Sequence, residues 1–214
     1  GWFEGMSSSP VMTAIVLERF AKLERAGIGS MNQIPALRDR IPSAVKYLDD
    51  SYFHVGRPSW CGGISADQYL YVRSLYAGVE FDVKPSGSEQ QKLMSDFRKY
   101  VKEYLVPKDE RGLSGQILAK ARRLRTLASL VSSDEGIALA GKWGVSLGAR
   151  RRMLASLEDD IVSLFEYAAD HKDGGIYYPN AVMPFRGLLE SEAYAHSMLC
   201  DLFTDYAAGF GAEL

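Results

Sequence analysis

The apolar residues of this chain recur at steps of three and four, and that spacing confines it to folds built from packed helices. Ile117, Ala121, Leu124, Ala128 and Val131 form one such series, and Leu154, Leu157, Ile161, Leu164 and Ala168 form another. Each series lines one face of a 3.6-residue helix and leaves charges on the other faces. Leu93, Phe97, Tyr100, Val101 and Tyr104 give a third stripe. Ser88 opens it with Gln91 three residues on, at capping-box spacing, and Pro107 ends it. Ser9-Pro10 reads as an N-cap followed by proline at the first helical position, and Gly27 as the glycine that closes that helix. Across 34–53 the helical pattern contains Pro42, which removes a backbone donor, so a short helix, a break and a second helix are expected there. No stretch alternates with period two for long enough to build a sheet. The fold class is all-α, and 214 residues at 47% hydrophobic supply one packed core, a single helical domain over 1–214. Because the chain opens at Gly1-Trp2-Phe3, in mid-pattern, we expect it to be an excised part of a larger multidomain protein.

Charge narrows the partners. A net charge of −2 and a sequence pI near 6.0 give no general attraction for nucleic acid or an anionic membrane. The basic runs KARRLR from Lys120 and ARRRM from Ala149 sit on helical stripes, and they read as solvated helix faces. Cys61 and Cys200 are too few for a disulfide framework and lack C-x-x-C spacing, which leaves the redox compartment open. No apolar run approaches the roughly 20 residues of a membrane span, and the start lacks the regions of a signal peptide.

The helical segments are of two kinds. Those beginning near Glu89, Ser114 and Gly148 are striped and charge-rich, as helices with one wet side are. Val11–Leu23 in part, Ala66–Ala77 and Leu189–Ala207 are apolar or small nearly all round and are expected inside. GWFEGMSSSPVMTAIVL, WCGGISADQYLYVRSL and GGIYYPNAVMPFRGLLESEAYAHSML each place glycine and a bulky residue in a turn, then a variable loop, then a helix of the buried kind. It is a degenerate repeat in which glycine allows the positive-φ turn. GGIYYP is then punctuation, with one short extended stretch at 176–178, and lacks the strand and directly following helix of a phosphate loop. Buried helices alternating with amphipathic ones predict an α/α toroid or an arc of one, with a linear helical solenoid as the competitor.

GWFEGMSSSPVMTAIVLERFAKLERAG resembles the glycine-tryptophan-phenylalanine segment and following helix in the thioester domain of bacterial alpha-2-macroglobulins, the large Bacteroides type in particular. GGIYYPNAVMPFRGLLESEAYAHSMLCDLF is similar to a later turn and inner helix of that domain. The resemblance covers both ends of the chain and rests on helical pattern alone between Lys84 and Arg152. It implies a complement-like, incomplete α/α ring serving protease inhibition by trapping, with no catalytic residue and no cofactor of its own. It further implies contacts with other domains of the parent protein and with target proteases, a periplasmic, cell-surface or secreted location, and attachment to a membrane only through an anchor outside this chain. The family's thioester needs a Cys-x-Glu-Gln run. Cys61 is followed by Gly-Gly-Ile and Cys200 by Asp-Leu-Phe, so neither supplies it. Where the complement branch has a histidine early in the helix after the turn, this chain has Thr13, which argues against histidine-assisted acyl transfer.

An enzyme or binding domain of the same architecture is the alternative, acting on glycans or isoprenoid-type substrates. Aspartate clusters for a diphosphate metal reduce to Glu158-Asp159-Asp160 and Asp49-Asp50, the former on the charged side of a helix. Cys61, Asp67, His171 and His196 make a zinc set on paper only. Asp67 suits a first helical turn, His171 a helix C-terminus, and His196 a hydrogen bond with Glu192 one turn away. The residues expected at the inner mouth are Trp2, Phe3, Tyr69, Tyr177, Tyr178, Glu192, Tyr194 and His196. For sugar binding the aromatics would stack and Glu192 would act as acid, whereas packing as core is the simpler role.

Overall fold

The structure is a computed structural model that describes residues 5, 7–28, 34–54, 63–106, 117–148, 150–179, 181–182 and 191–208; of 37–38 and 150–156 only the backbone is described. Among them lie eight α-helices: α1 Pro10–Arg25, α2 Pro35–Tyr52, α3 Ala66–Ser74, α4 Ser88–Leu105, α5 Ile117–Val131, α6 Asp134–Lys142, α7 Arg150–Leu164 and α8 Glu192–Ala207. The all-α class holds. Among the described residues one hairpin interrupts it, β1 Ala169–Asp170 pairing antiparallel with β2 Ile176–Tyr177. Gly174 and Gly175, at φ of 91° and 81°, turn the chain between those strands, so the extended piece of GGIYYP is half of a hairpin. His171 begins that loop, and its N–H donates to the Gly175 carbonyl at 2.9 Å.

Helix ends follow local chemistry. Ser9 accepts the Met12 N–H at the start of α1, ahead of Pro10. At the other end Gly27, at φ 70°, allows paired bonds from Gly27 N to Glu24 O and from Ile28 N to Leu23 O, a Schellman closure. Two expectations fail. α4 is capped by Gly87, not Ser88, and it is the Gln90 side chain that reaches back to accept from the Ser86 N–H and hydroxyl, at 2.8 Å each. α2 runs unbroken through Pro42. Pro42 sits on the wet side, where water can satisfy the freed carbonyl, while Ile41, Val45 and Leu48 are buried and hold the helix to the core on both sides of the lost bond.

Packing places α1, α3, α5 and α8 side by side in that order. α2 lies against α1 and α3, while α4, α6 and α7 lie against α5, and α7 also reaches α8. α3 is enclosed from Gln68 to Ser74, as expected. α4 has one wet side, with Met94, Phe97, Val101, Tyr104 and Leu105 turned inward. The largest correction concerns α5, expected to be half-solvated. It is the most enclosed helix described, and Lys120, Arg122, Arg123 and Arg125 of the basic run are all buried. Each cation has a partner from another helix: Arg122 pairs with Asp67 of α3, Arg123 with Asp160 of α7 at 3.0 Å, Arg125 with Asp205 of α8, and Lys120 donates to Ser163 of α7 at 2.7 Å. Buried charge is tolerated only when so compensated. Asp160 therefore leaves the solvated face assigned to it, whereas Glu158 and Asp159 stay exposed. α1 and α8 are wetter than expected, with Val16 and Arg19 exposed on one and Glu192 and Cys200 on the other.

The turn from α5 into α6 is so tight that a Cβ on Gly136 would overlap the backbone carbonyl of Leu130. Gly136→Ala is expected to cost about 1–3 kcal/mol as an overpacking change, read as a lower urea midpoint at unchanged slope. Tyr104 is buried, and its hydroxyl finds no hydrogen-bond partner among the described residues. Because a desolvated, unpaired hydroxyl costs about 1–3 kcal/mol, Tyr104→Phe should raise stability, by roughly 1 kcal/mol in the same experiment.

Candidate functional site

The row of four helices runs in one direction. Asp67 of α3 meets Arg122 of α5, and two turns later on both helices the Ser129 hydroxyl donates to the Ser74 carbonyl at 2.9 Å. Across from them, Glu18, Lys22 and Arg25 climb α1 as Tyr194, Asp201 and Asp205 climb α8. The Tyr194 hydroxyl donates to Glu18 at 3.0 Å, Lys22 pairs with Asp201 at 2.8 Å, and Arg25 pairs with Asp205. The four helices thus surround a charged centre. At their shared C-terminal end a cleft of about 480 Å³ opens between Ala21, Arg25, Arg125, Ser129 and Asp205. Arg25 lies in the last turn of α1, where the helix dipole favours a cation.

Four cations and four carboxylates face one another here. Lys22 touches Glu18 at 3.2 Å as well as Asp201, Arg25 and Arg125 share Asp205, and Arg122 takes Asp67. Arg122 and Lys22 also lie over the Tyr194 ring, at 5.9 Å and 5.8 Å from its centre. Burial works against the ammonium of Lys22, but its hydrogen bond to Asp201 and the nearby Tyr71, Glu18 and Asp201 outweigh it and raise its pKa. Burial likewise pushes the phenols of Tyr71 and Tyr194 above their usual value, so at neutral pH both are neutral hydrogen-bonding groups. The arrangement holds helices together through matched charge.

The residues expected at the inner mouth separate into different places. Trp2 and Phe3 lie outside the described residues. Tyr69 is fully buried on the other side of α3, stacked on Tyr52 at 4.1 Å and edge-on to Phe53 and Phe97, with its hydroxyl donating to Asp49 at 2.6 Å. Only Tyr194 points into the charged centre. Tyr177 is exposed on the hairpin, its ring edge-on to His171. Tyr178 is buried and its N–H donates to His196 Nε2 at 3.1 Å, which leaves Nδ1 to donate to the Glu192 backbone carbonyl at 2.8 Å. The expected bond between His196 and Glu192 therefore exists through the main chain, with the Glu192 carboxylate free of it on an exposed first turn.

For the paper zinc set the geometry is unfavourable. Asp67 is engaged by Arg122, His171 is on the hairpin loop, His196 bridges Tyr178 and α8, and Cys61 lies outside the described residues. Among the described residues no three His, Cys, Asp or Glu side chains gather as a metal site requires. What the sequence reading missed is the lattice itself. Its trace was visible, since Asp201 and Asp205 stand one turn apart on an otherwise apolar helix, matching Lys22 and Arg25 on α1. No family model, curated protein or solved structure matches this chain.

Proposed function

We propose that this chain is a thioester-domain-like interaction and conformational module of a bacterial alpha-2-macroglobulin, an arc of α/α toroid that takes part in trapping proteases and carries no thioester residues itself. The observation that carries the reading is the parallel row α1, α3, α5 and α8, with the intervening helices packed outside it. A simple up-and-down bundle alternates direction between sequence neighbours, whereas a toroid returns each inner helix to the same direction through an outer one. α5, expected outside from its stripe, is buried and counts in this reading as a fourth inner helix, and the glycines and tyrosines of GGIYYP support the reading only as part of the sequence resemblance. The matched charges of the centre favour a role in holding and releasing helices over bond-making chemistry.

Two measurements test it. The reading frame upstream of Gly1 is expected to encode the other domains of such a protein, with or without Cys-x-Glu-Gln. The full-length product, cleaved by an endopeptidase, should then retain that protease so that it loses activity on large protein substrates while still cutting a small peptide. Full activity on both, or turnover of an oligosaccharide or prenyl diphosphate by the purified chain, refutes the assignment in favour of the enzyme alternative.

A further inference from the structure

We infer that the junction between α1 and α8 is an electrostatic latch, a seam at which the row of four helices closes through charged side chains and from which it can open while the rest stays folded. The inference does not depend on the macroglobulin reading. α3 packs closely along α5, and α5 along α8, but the backbones of α1 and α8 do not approach in that way. Long polar side chains span the gap instead: the Tyr194 hydroxyl on Glu18, the Lys22 ammonium on Asp201 and over the Tyr194 ring, and Arg25 on Asp205.

Two features make the seam separable. Asp205 is shared between Arg25 of α1 and Arg125 of α5, so when α1 withdraws, Asp205 keeps a buried cation and is not stranded. Likewise Arg125 donates to the Asp201 carbonyl at 3.3 Å, which ties α8 to α5 independently of α1. On its other side α1 keeps the packing of α2 and α3 and the bond from the Tyr76 hydroxyl to the Leu17 carbonyl at 2.6 Å. The cleft at the C-terminal end is lined by both helices, with Ala21 and Arg25 from α1 and Asp205 from α8, and gives water access to this end of the seam. Apolar cores resist such partial opening because burial is lost all along the contact. The Lys22–Asp201 and Arg25–Asp205 pairs are partly exposed and regain hydration as they part, while the Tyr194–Glu18 bond is the buried end of the seam.

The test measures the width of the seam. Cys200 is free and exposed on α8, and Arg19 is exposed on α1, so the full chain carrying Cys61→Ser and Arg19→Cys takes spin labels at positions 19 and 200. With the charges intact the distance distribution should be narrow. Asp201→Asn with Arg25→Gln, which leaves the Arg125–Asp205 pair in place, should lengthen and broaden it by half a helix diameter or more, about 5 Å, with far-UV helicity retained. Asp160→Asn, which breaks the α5–α7 pair instead, should leave the distance unchanged. If the double variant does not fold, Asp201→Asn alone serves, since that side chain is 34% exposed. An unchanged distance overturns the latch. So does an equal change in Asp160→Asn, or a loss of helicity in step with the distance in the single variant, because each means that the seam belongs to one cooperative core.

Discussion

Arg73→Met is expected to cost about 3–5 kcal/mol, the range for stranding one partner of a buried ion pair. Arg73 is 0% exposed, and its Nε donates to both oxygens of Asp49 at 3.1 Å. Its Nη1 and Nη2 donate to the carbonyls of Tyr76 and Val79, at 2.7 Å each, in the turn that follows α3. One guanidinium therefore neutralises α2, ends α3 and fixes the chain leaving it. Burial pushes the Asp49 carboxyl above its usual value, and Arg73 together with the Tyr69 hydroxyl pulls it back. Without Arg73 that restraint goes, the folded-state pKa rises further, and the folded protein binds a proton more tightly than the unfolded one does. The Asp49 contribution to the variant's stability, read as its difference from the variant that also carries Asp49→Asn, should then be largest in acid and fall as pH rises through the folded pKa of Asp49. Asp49→Asn combined with Arg73→Met should recover part of the loss, with a coupling of about 0.5–3 kcal/mol in a double-mutant cycle. Recovery stays incomplete because the Tyr76 and Val79 carbonyls remain without their donor. Urea unfolding at several pH values reads all of this, and strict additivity of the two substitutions would show that the pair carries no joint role.

Much of the helical design was legible because it is local. The three- and four-residue steps of α5, the Ser9-Pro10 start and the Gly27 stop each involve neighbours within a turn or two, and the structure keeps them; of the α4 stripe it buries Phe97, Val101 and Tyr104 but leaves Tyr100 exposed. What escaped was long-range. Pro42 reads as a breaker, yet the buried face of α2 outweighs one lost bond. The basic run of α5 reads as a wet face because the acids that neutralise it stand far away in sequence, on α3, α7 and α8. Tyr69 and Tyr194 look alike in sequence, as tyrosines early in apolar helices, but one faces the aromatic layer of α2 and α4 and the other the charged centre. Rotation of a helix about its axis is set by its neighbours, and α3 is buried on every side, so its stripe held no clue to which face was which.

Asp67→Asn should destabilise the protein by about 3 kcal/mol at neutral pH, the lower end of the range for a broken buried pair because the carboxylate is partly exposed. Arg122, the cation it leaves behind, is buried and lies against Tyr194 at the head of the charged centre. Burial alone would raise the Asp67 carboxyl; the Arg122 charge and hydrogen bonds from Ser65, Arg122 and the Gln68 N–H outweigh it and hold it below the usual carboxylate range. A folded pKa below the unfolded value of about 3.9 means that this contribution is complete well above that value and disappears as pH falls through the folded one. The difference between wild type and Asp67→Asn should therefore be constant from neutral pH to about 5 and shrink as pH falls through the unfolded value towards the lowered folded one. Asp49 titrates with the opposite sign, gaining stability on acidification, so wild-type stability alone mixes the two. Subtracting the variant removes Asp49, which is common to both chains, and isolates the α3–α5 pair. A difference that stays constant down to pH 2 would show that Asp67 acts through its shape and hydrogen bonds, and that charge matching is not what lets a helix with four basic residues run through the core.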